Sequence, residues 1–160
     1  MVYVIAKLDK TARARLSWIQ SFAASFGIVP KPIYGHVTLA AISGANAAVI
    51  SACKDILKGQ EAFTVDFQKV EVLPEKGEVV ALAAREGALV ALRDRIKTVA
   101  VVDEDWVPCT TLLRDGMTNL NWVRMAMSEM FQPFTATVER IEFVRRSAVV
   151  DSVELKGEDA

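Results

Sequence analysis

The residues best able to do chemistry lie in two short segments with the same spacing. One segment reads His-Val-Thr-Leu from His36, and the other reads Cys-Thr-Thr-Leu from Cys109. Residues two apart in a strand point to the same face, so each segment presents a reactive side chain and a threonine, Thr38 or Thr111, together. An imidazole can transfer a proton near neutral pH, and hydroxyl groups can donate hydrogen bonds to an anion. The segments therefore predict a site for proton transfer on a small anionic ligand.

These two segments occupy equivalent places in a repeated order of predicted elements. Apolar periodicity and breaker residues predict strands and helices in the order strand-helix-strand-helix-strand, twice, with an offset of about 72 to 77 residues. The predicted strands of the two repeats are 2–8, 35–41, 63–73, 78–84, 106–113 and 134–144, and a last strand at 147–155 is expected to pair with 134–144. Helices precede and follow each motif strand, including 45–58 and 86–101. The pattern predicts one bilobal domain over 1–160, with internal repeats at about 2–73 and 78–155 and a cleft between them.

With both motifs in this frame, the chain resembles the 2H (two-histidine) phosphoesterases, which include bacterial 2'-5' RNA ligase-like proteins. That superfamily has one His-X-Thr/Ser motif in each lobe, and the segment from His36 matches the first one fully. The segment from Pro108 to Leu112 matches the second, except that Cys109 stands at the histidine position. The resemblance covers nearly the whole chain. It implies an α+β fold of two duplicated lobes, with antiparallel sheets forming a central cleft and helices outside.

The resemblance also implies a reaction, a ligand and a set of site residues. Members open 2',3'-cyclic phosphates, or make and break 2'-5' phosphodiester linkages, and they need no metal or other cofactor. One imidazole accepts a proton from the attacking group, the other donates one to the leaving oxygen, and the hydroxyls bind phosphate oxygens. The expected partner is therefore a nucleotide or RNA 2',3'-cyclic or 2'-5' phosphate. The resemblance implies four catalytic residues: His36, Thr38, Cys109 and Thr111. The predicted substrate-binding residues beside them are Tyr34 and Arg114.

Cys109 changes what this site is expected to do, because His36 is the only histidine in the chain. Loss of one general acid or base lowers a rate by about 10²- to 10⁴-fold. Three outcomes stay open: Cys109 carries the proton, His36 alone sustains weak activity, or the protein binds phosphate without catalysis. A protein-interaction domain is a further alternative. A covalent Cys–His hydrolase is disfavoured, since the family's two positions flank the phosphate rather than contact each other.

Structural roles compete with the functional ones for each residue. A single histidine beside a strand often makes a structural hydrogen bond, threonine is a good strand former, and a free cysteine packs as a small hydrophobe. Cys53 lies on the apolar face of a predicted helix and is expected in the core. The matching register of the two segments favours the functional interpretation of His36, Thr38 and Thr111.

Composition excludes several other classes of protein. The 160 residues include 19 basic and 20 acidic side chains, for a net charge of −1, so a basic nucleic-acid arm or a polybasic membrane patch is not expected. No apolar run reaches the roughly 20 residues that span a bilayer, and the first residues do not resemble a signal peptide. Two cysteines do not make a disulfide framework, and the histidine and carboxylates show no metal-ligand spacing. A reduced, cytoplasmic setting is expected, and the oligomeric state stays open.

Overall fold

The fold follows the predicted order of elements. The structure is a computed structural model that describes residues 1–25, 35–85, 87–114 and 120–157. Over these ranges the chain forms seven strands and four helices. In chain order they are β1 (Val2–Leu8), α1 (Lys10–Ala24), β2 (His36–Ile42), α2 (Ala47–Leu57), β3 (Phe63–Leu73), β4 (Glu78–Ala83), α3 (Ala88–Lys97), β5 (Cys109–Arg114), α4 (Leu120–Met130), β6 (Phe134–Arg145) and β7 (Ala148–Glu154).

Two elements differ most from the bounds that the apolar pattern predicted. The helix predicted at 86–101 ends at Lys97, where the amide groups of Thr98 and Val99 turn back to carbonyls in the last turn. Val99 still packs against the core, so the apolar pattern continues beyond the helix. The strand predicted at 106–113 begins only at Cys109, because the preceding segment crosses to β2.

All seven strands join one antiparallel sheet in the order β2-β1-β6-β3-β4-β5, with β7 also paired to β6. The first parts of β3 and β6 pair at the centre, from Phe63 opposite Val138 to Phe67 opposite Phe134. This pairing joins the two halves of the chain, and it leaves the motif strands β2 and β5 at opposite ends of the strand order. The predicted α+β class and antiparallel arrangement are confirmed.

The two outer strand pairs share one irregularity. In β1–β2 the register shifts so that Leu39, the residue after Thr38, is skipped in the pairing. In β4–β5 the register shifts so that Leu112, the residue after Thr111, is skipped. A bulge of this kind increases local twist and reorients neighbouring side chains. Its equivalent position supports the predicted internal repeats, which stay a prediction.

The core is common to both halves. Helix α1 contacts β5 and β6 of the second half, and α3 contacts β2 of the first half. One buried cluster includes Leu16 of α1, Leu92 of α3 and Phe143 of β6. Such an arrangement fixes β2 and β5 relative to each other, because each packs on a helix from the opposite half. Within the described ranges, no helix has both the length and the apolar character needed to cross a bilayer.

Candidate functional site

The first motif lies at the start of β2. Val37 and Leu39 are fully buried against the core, whereas His36 and Thr38 are half-buried on the opposite face. The strand alternation thus places the imidazole and the hydroxyl side by side, as the spacing predicted. Gly35 precedes them with a left-handed φ of 61°, and its carbonyl oxygen accepts a 3.0 Å hydrogen bond from the amide of Leu8.

Gly35 also allows helix α1 to pack closely beside the motif. A Cβ atom at this position would lie 2.4 Å from Cγ of Arg13, which no side chain could tolerate without movement. The absence of a side chain therefore satisfies both the backbone conformation and the close approach.

The free edge of β2 is covered by the segment that leads into β5. The indole nitrogen of Trp106 donates a 2.7 Å hydrogen bond to the carbonyl oxygen of Thr38. Asp103 adds two bonds to Ala41: its carboxylate accepts from the Ala41 amide at 2.9 Å, and its own amide donates to the Ala41 carbonyl at 3.1 Å. These contacts provide hydrogen-bond partners for backbone groups on the free edge of β2, and they hold the two motif-bearing segments together.

A buried arginine completes this contact between the halves. Arg93 of α3 is only 3% exposed, and it donates a 2.8 Å hydrogen bond to the carbonyl oxygen of Leu39, the residue at the bulge. Its guanidinium also pairs with the Asp103 carboxylate at 3.1 Å and lies 4.8 Å from the ring centre of Trp106. A buried charge needs such partners, so this cluster fixes the position of β2.

The second motif has the same alternation. Thr110 and Leu112 are buried, while Cys109 and Thr111 are half-buried on the other face of β5. Strands β2 and β5 contact each other. The convergence of all four predicted catalytic side chains on one anion-sized space stays a prediction.

The hydroxyl of Thr111 is already engaged by a residue that the sequence pattern did not single out. It donates a 3.1 Å hydrogen bond to the carboxylate of Glu78, a side chain that is 6% exposed and lies on β4. Arg114 donates two further bonds to the other carboxylate oxygen, at 3.0 Å from Nε and 2.7 Å from Nη2. The predicted phosphate contact Arg114 is thus paired with an internal carboxylate. The two residues lie directly opposite each other in the β4–β5 register, which the sequence alone does not give.

The chemistry of Cys109 follows from this neighbourhood. Burial and, as the smaller cause, the negative charge of Glu78 together raise the pKa of its thiol to about 11, although Lys76 acts in the opposite direction. Since the thiolate is the nucleophilic form, Cys109 is a protonated and weakly reactive thiol at neutral pH. Cys53 is fully buried in α2, as its helical position predicted.

Basic residues flank the first motif. Lys7 of β1 is directly opposite His36, and on its other side it is opposite Arg140 of β6. Residues directly opposite in neighbouring strands have side chains on the same face. Arg140 also contacts the carboxylate of Glu142 at 3.5 Å. Lys7 was not predicted from the sequence, because its place beside the imidazole depends on the strand register.

Two further predictions concern the rest of the site. Tyr34, a predicted substrate-binding residue, lies outside the described residues. Across the described ranges, no three His, Cys, Asp or Glu side chains form a group that could hold a metal ion.

The fold and the two motif strands define an α+β protein with a single antiparallel sheet. The family model of the 2'-5' RNA ligase superfamily matches residues 13–149, most of the chain. The protein therefore belongs to the 2'-5' RNA ligase superfamily, a group of 2H phosphoesterases. None of the curated proteins compared with the chain matches its sequence.

Solved structures with the same fold agree with this assignment. TT0787 of Thermus thermophilus is 17% identical with a TM-score of 0.70, and the match covers 98% of both chains. E. coli LigT complexed with NADP+ is 16% identical with a TM-score of 0.67, over 97% of this chain and 96% of LigT. E. coli LigT complexed with 3'-AMP is 14% identical with a TM-score of 0.64, over 96% of this chain and 97% of LigT. At these identities the likeness establishes the fold.

Proposed function

We propose that the protein binds the phosphate of a nucleotide or of an RNA end in a cleft between its two repeats. We further propose that it is a 2',3'-cyclic phosphodiesterase-type protein with one acid–base residue, His36. The observation that carries this proposal is the placement of His36 and Thr38. They lie together on the half-buried face of a strand that Trp106 and Arg93 hold from the other half. The complexes of E. coli LigT with 3'-AMP and NADP+ support a nucleotide as the ligand. A reduced, cytoplasmic setting is part of the same proposal.

The proposed reaction uses His36 as a general base. It accepts a proton from a water molecule that attacks the phosphorus of a 2',3'-cyclic phosphate, and one ring P–O bond breaks. The Thr38 hydroxyl donates a hydrogen bond to a non-bridging oxygen, and Lys7 supplies positive charge beside it. The leaving oxygen takes its proton from solvent, because burial and Glu78 raise the pKa of the Cys109 thiol to about 11 and so make it a weak acid. Without a second histidine, we expect turnover about 10²- to 10⁴-fold below that of a complete pair.

A non-catalytic nucleotide binder is the second candidate function. Two observations favour it: a cysteine stands where the second imidazole is expected, and the Thr111 hydroxyl is bonded to Glu78 instead of being available to a ligand. Such a protein would still bind the phosphate of a nucleotide through the first motif, but it would lack the acid–base pair needed for catalysis.

One assay separates these candidates. The purified protein is incubated with 2',3'-cyclic nucleotides beside His36→Ala, and 3'-AMP is titrated into both by calorimetry. The phosphodiesterase proposal expects slow turnover that the substitution abolishes. Binding of 3'-AMP without turnover favours the non-catalytic binder. Turnover that survives in His36→Ala removes the imidazole from the mechanism. If the protein shows no turnover and no binding, the protein-interaction alternative is left.

A further inference from the structure

The second half of the molecule has an ion pair that the first half lacks. In β1–β2, Tyr3 is opposite Ala41, three residues after the motif threonine. At the equivalent place in β4–β5, Glu78 is opposite Arg114. Because the bulge lies at the same position in both strand pairs, these positions correspond residue by residue. The buried carboxylate and its arginine are therefore specific to the half that also has a cysteine in place of histidine.

The contacts of Glu78 are those that a bound phosphate would make. Its two carboxylate oxygens accept three hydrogen bonds, one from the Thr111 hydroxyl at 3.1 Å and two from the Arg114 guanidinium at 3.0 and 2.7 Å. An arginine fork and a hydroxyl are the donors that recognise phosphate oxygens in proteins. A phosphate can use them only after the carboxylate has released them.

We propose that Glu78 is an internal anion that occupies the donors of the second motif, excludes phosphate from that half of the cleft, and so determines ligand specificity. This inference rests on the proposed function, since it assumes that a phosphate-bearing ligand enters the cleft. The ligand's phosphate is then directed to His36 and Thr38. The group over Cys109 must be neutral, such as a sugar hydroxyl, so a ligand with phosphates at both ends is disfavoured.

The charge distribution agrees with this division of the cleft. The negative charge of Glu78 helps to raise the pKa of the Cys109 thiol, so its field reaches the second motif position. The same field opposes any anion placed there, and salt screens a buried charge less than an exposed one. The first motif instead has the charge of Lys7 directly opposite His36, while Arg140, one strand further on, is paired with the carboxylates of Glu142 and Glu154.

Calorimetric titration with inorganic phosphate and with 3'-AMP tests the inference. In Glu78→Gln the carboxylate charge is removed and Arg114 is released, so we expect phosphate to bind at least about tenfold more tightly, which corresponds to about 1.4 kcal/mol. Glu75→Gln is the matched control, because it removes the same charge from an exposed residue three positions away. We expect its affinity to stay within about twofold of the wild type. Arg114→Gln added to Glu78→Gln should abolish the gain.

The outcomes separate this inference from the proposed function. If the wild type binds and Glu78→Gln binds no tighter, Glu78 does not exclude phosphate, and the proposed function stands. If only Glu78→Gln binds, the inference holds, and the wild type does not have the proposed function. If neither binds, both are wrong. Circular dichroism checks the fold of each variant. Glu78→Met is the second variant, because its side chain has a similar length and no charge, and we expect it to show the same gain in phosphate affinity.

Discussion

The indole nitrogen of Trp106 lies 2.7 Å from the carbonyl oxygen of Thr38, to which it donates a hydrogen bond across 68 positions of sequence. This single contact ties the segment that enters β5 to the strand that carries His36. The two motifs are thus connected by a side chain that belongs to neither of them. Its ring also lies beside the buried guanidinium of Arg93, so the contact is part of a larger polar cluster.

Trp106→Phe should therefore destabilise the protein through the loss of one hydrogen bond. The phenyl ring keeps most of the packing, but the part-buried Thr38 carbonyl loses its donor. We expect the free energy of unfolding to fall by about 1–3 kcal/mol, as measured by urea denaturation. Trp18→Phe is the matched control, because Trp18 is 58% exposed, and we expect it to change stability by less than about 0.5 kcal/mol. Equal losses in both variants would show that the indole hydrogen bond contributes nothing.

The two glycines at the ends of β2 offer a second matched comparison. Gly35 and Gly44 both have a left-handed φ, at 61° and 66°, but only Gly35 is crowded, by Cγ of Arg13. We expect Gly44→Ala to lower the free energy of unfolding by about 1 kcal/mol, from the backbone conformation alone. Gly35→Ala adds the overlap with helix α1 and should cost about 2–4 kcal/mol. Urea denaturation of both variants measures the difference. A loss in Gly35→Ala no larger than that in Gly44→Ala contradicts the close approach of α1.

The raised pKa of Cys109 predicts slow alkylation. A thiol with a pKa of about 11 has about 100-fold less thiolate at pH 7.5 than an ordinary cysteine, partly offset by higher intrinsic nucleophilicity, so iodoacetamide should react about tenfold more slowly. Peptide mass spectrometry distinguishes Cys109 from the buried Cys53. Glu78→Gln should speed the alkylation of Cys109, because it removes the negative charge that helps to raise the thiol pKa. Burial, the other cause of the raised pKa, stays in place.

The pH dependence of alkylation separates this effect from poor access. The rate should still rise steeply between about pH 9 and 10, since the thiol is mostly protonated there. A merely shielded thiol with an ordinary pKa of 9.0 would gain less than about twofold over that interval. A gain of less than about twofold for Cys109 therefore contradicts the raised pKa.

The sequence predicted the fold better than it predicted the site. Strand β1 was found with its observed ends, because it is a run of apolar and β-branched residues that ends before Asp9. The shared face of His36 and Thr38 likewise needs only the two-residue period of a strand. Neither prediction depends on which strands become neighbours.

The residues missed by the sequence all depend on strand register. Lys7 comes to His36, and Glu78 to Arg114, only through pairings between distant parts of the chain. A bulge after each motif threonine shifts that register, and a shift of one residue changes the face on which a side chain lies. Trp106 was expected at the start of a strand, and its hydrogen bond to β2 depends on how the two halves pack. Periodicity within one segment has no information about such partners.

Cys109→His tests whether a complete acid–base pair can be restored. The substitution places a second imidazole at the position where the superfamily has one. Burial, the larger cause of the raised thiol pKa, would lower the pKa of an imidazole there, whereas the negative charge of Glu78 would favour its protonated form, which is the form that donates a proton to a leaving oxygen. We expect hydrolysis of 2',3'-cyclic nucleotides to rise by about 10²- to 10⁴-fold over the wild type, measured as monophosphate released and resolved by chromatography. Cys109→Ala is the control and should show no gain, since it removes the thiol without adding a proton donor. If Cys109→His folds and binds 3'-AMP yet is no faster than Cys109→Ala, the two motif positions do not flank a common phosphate.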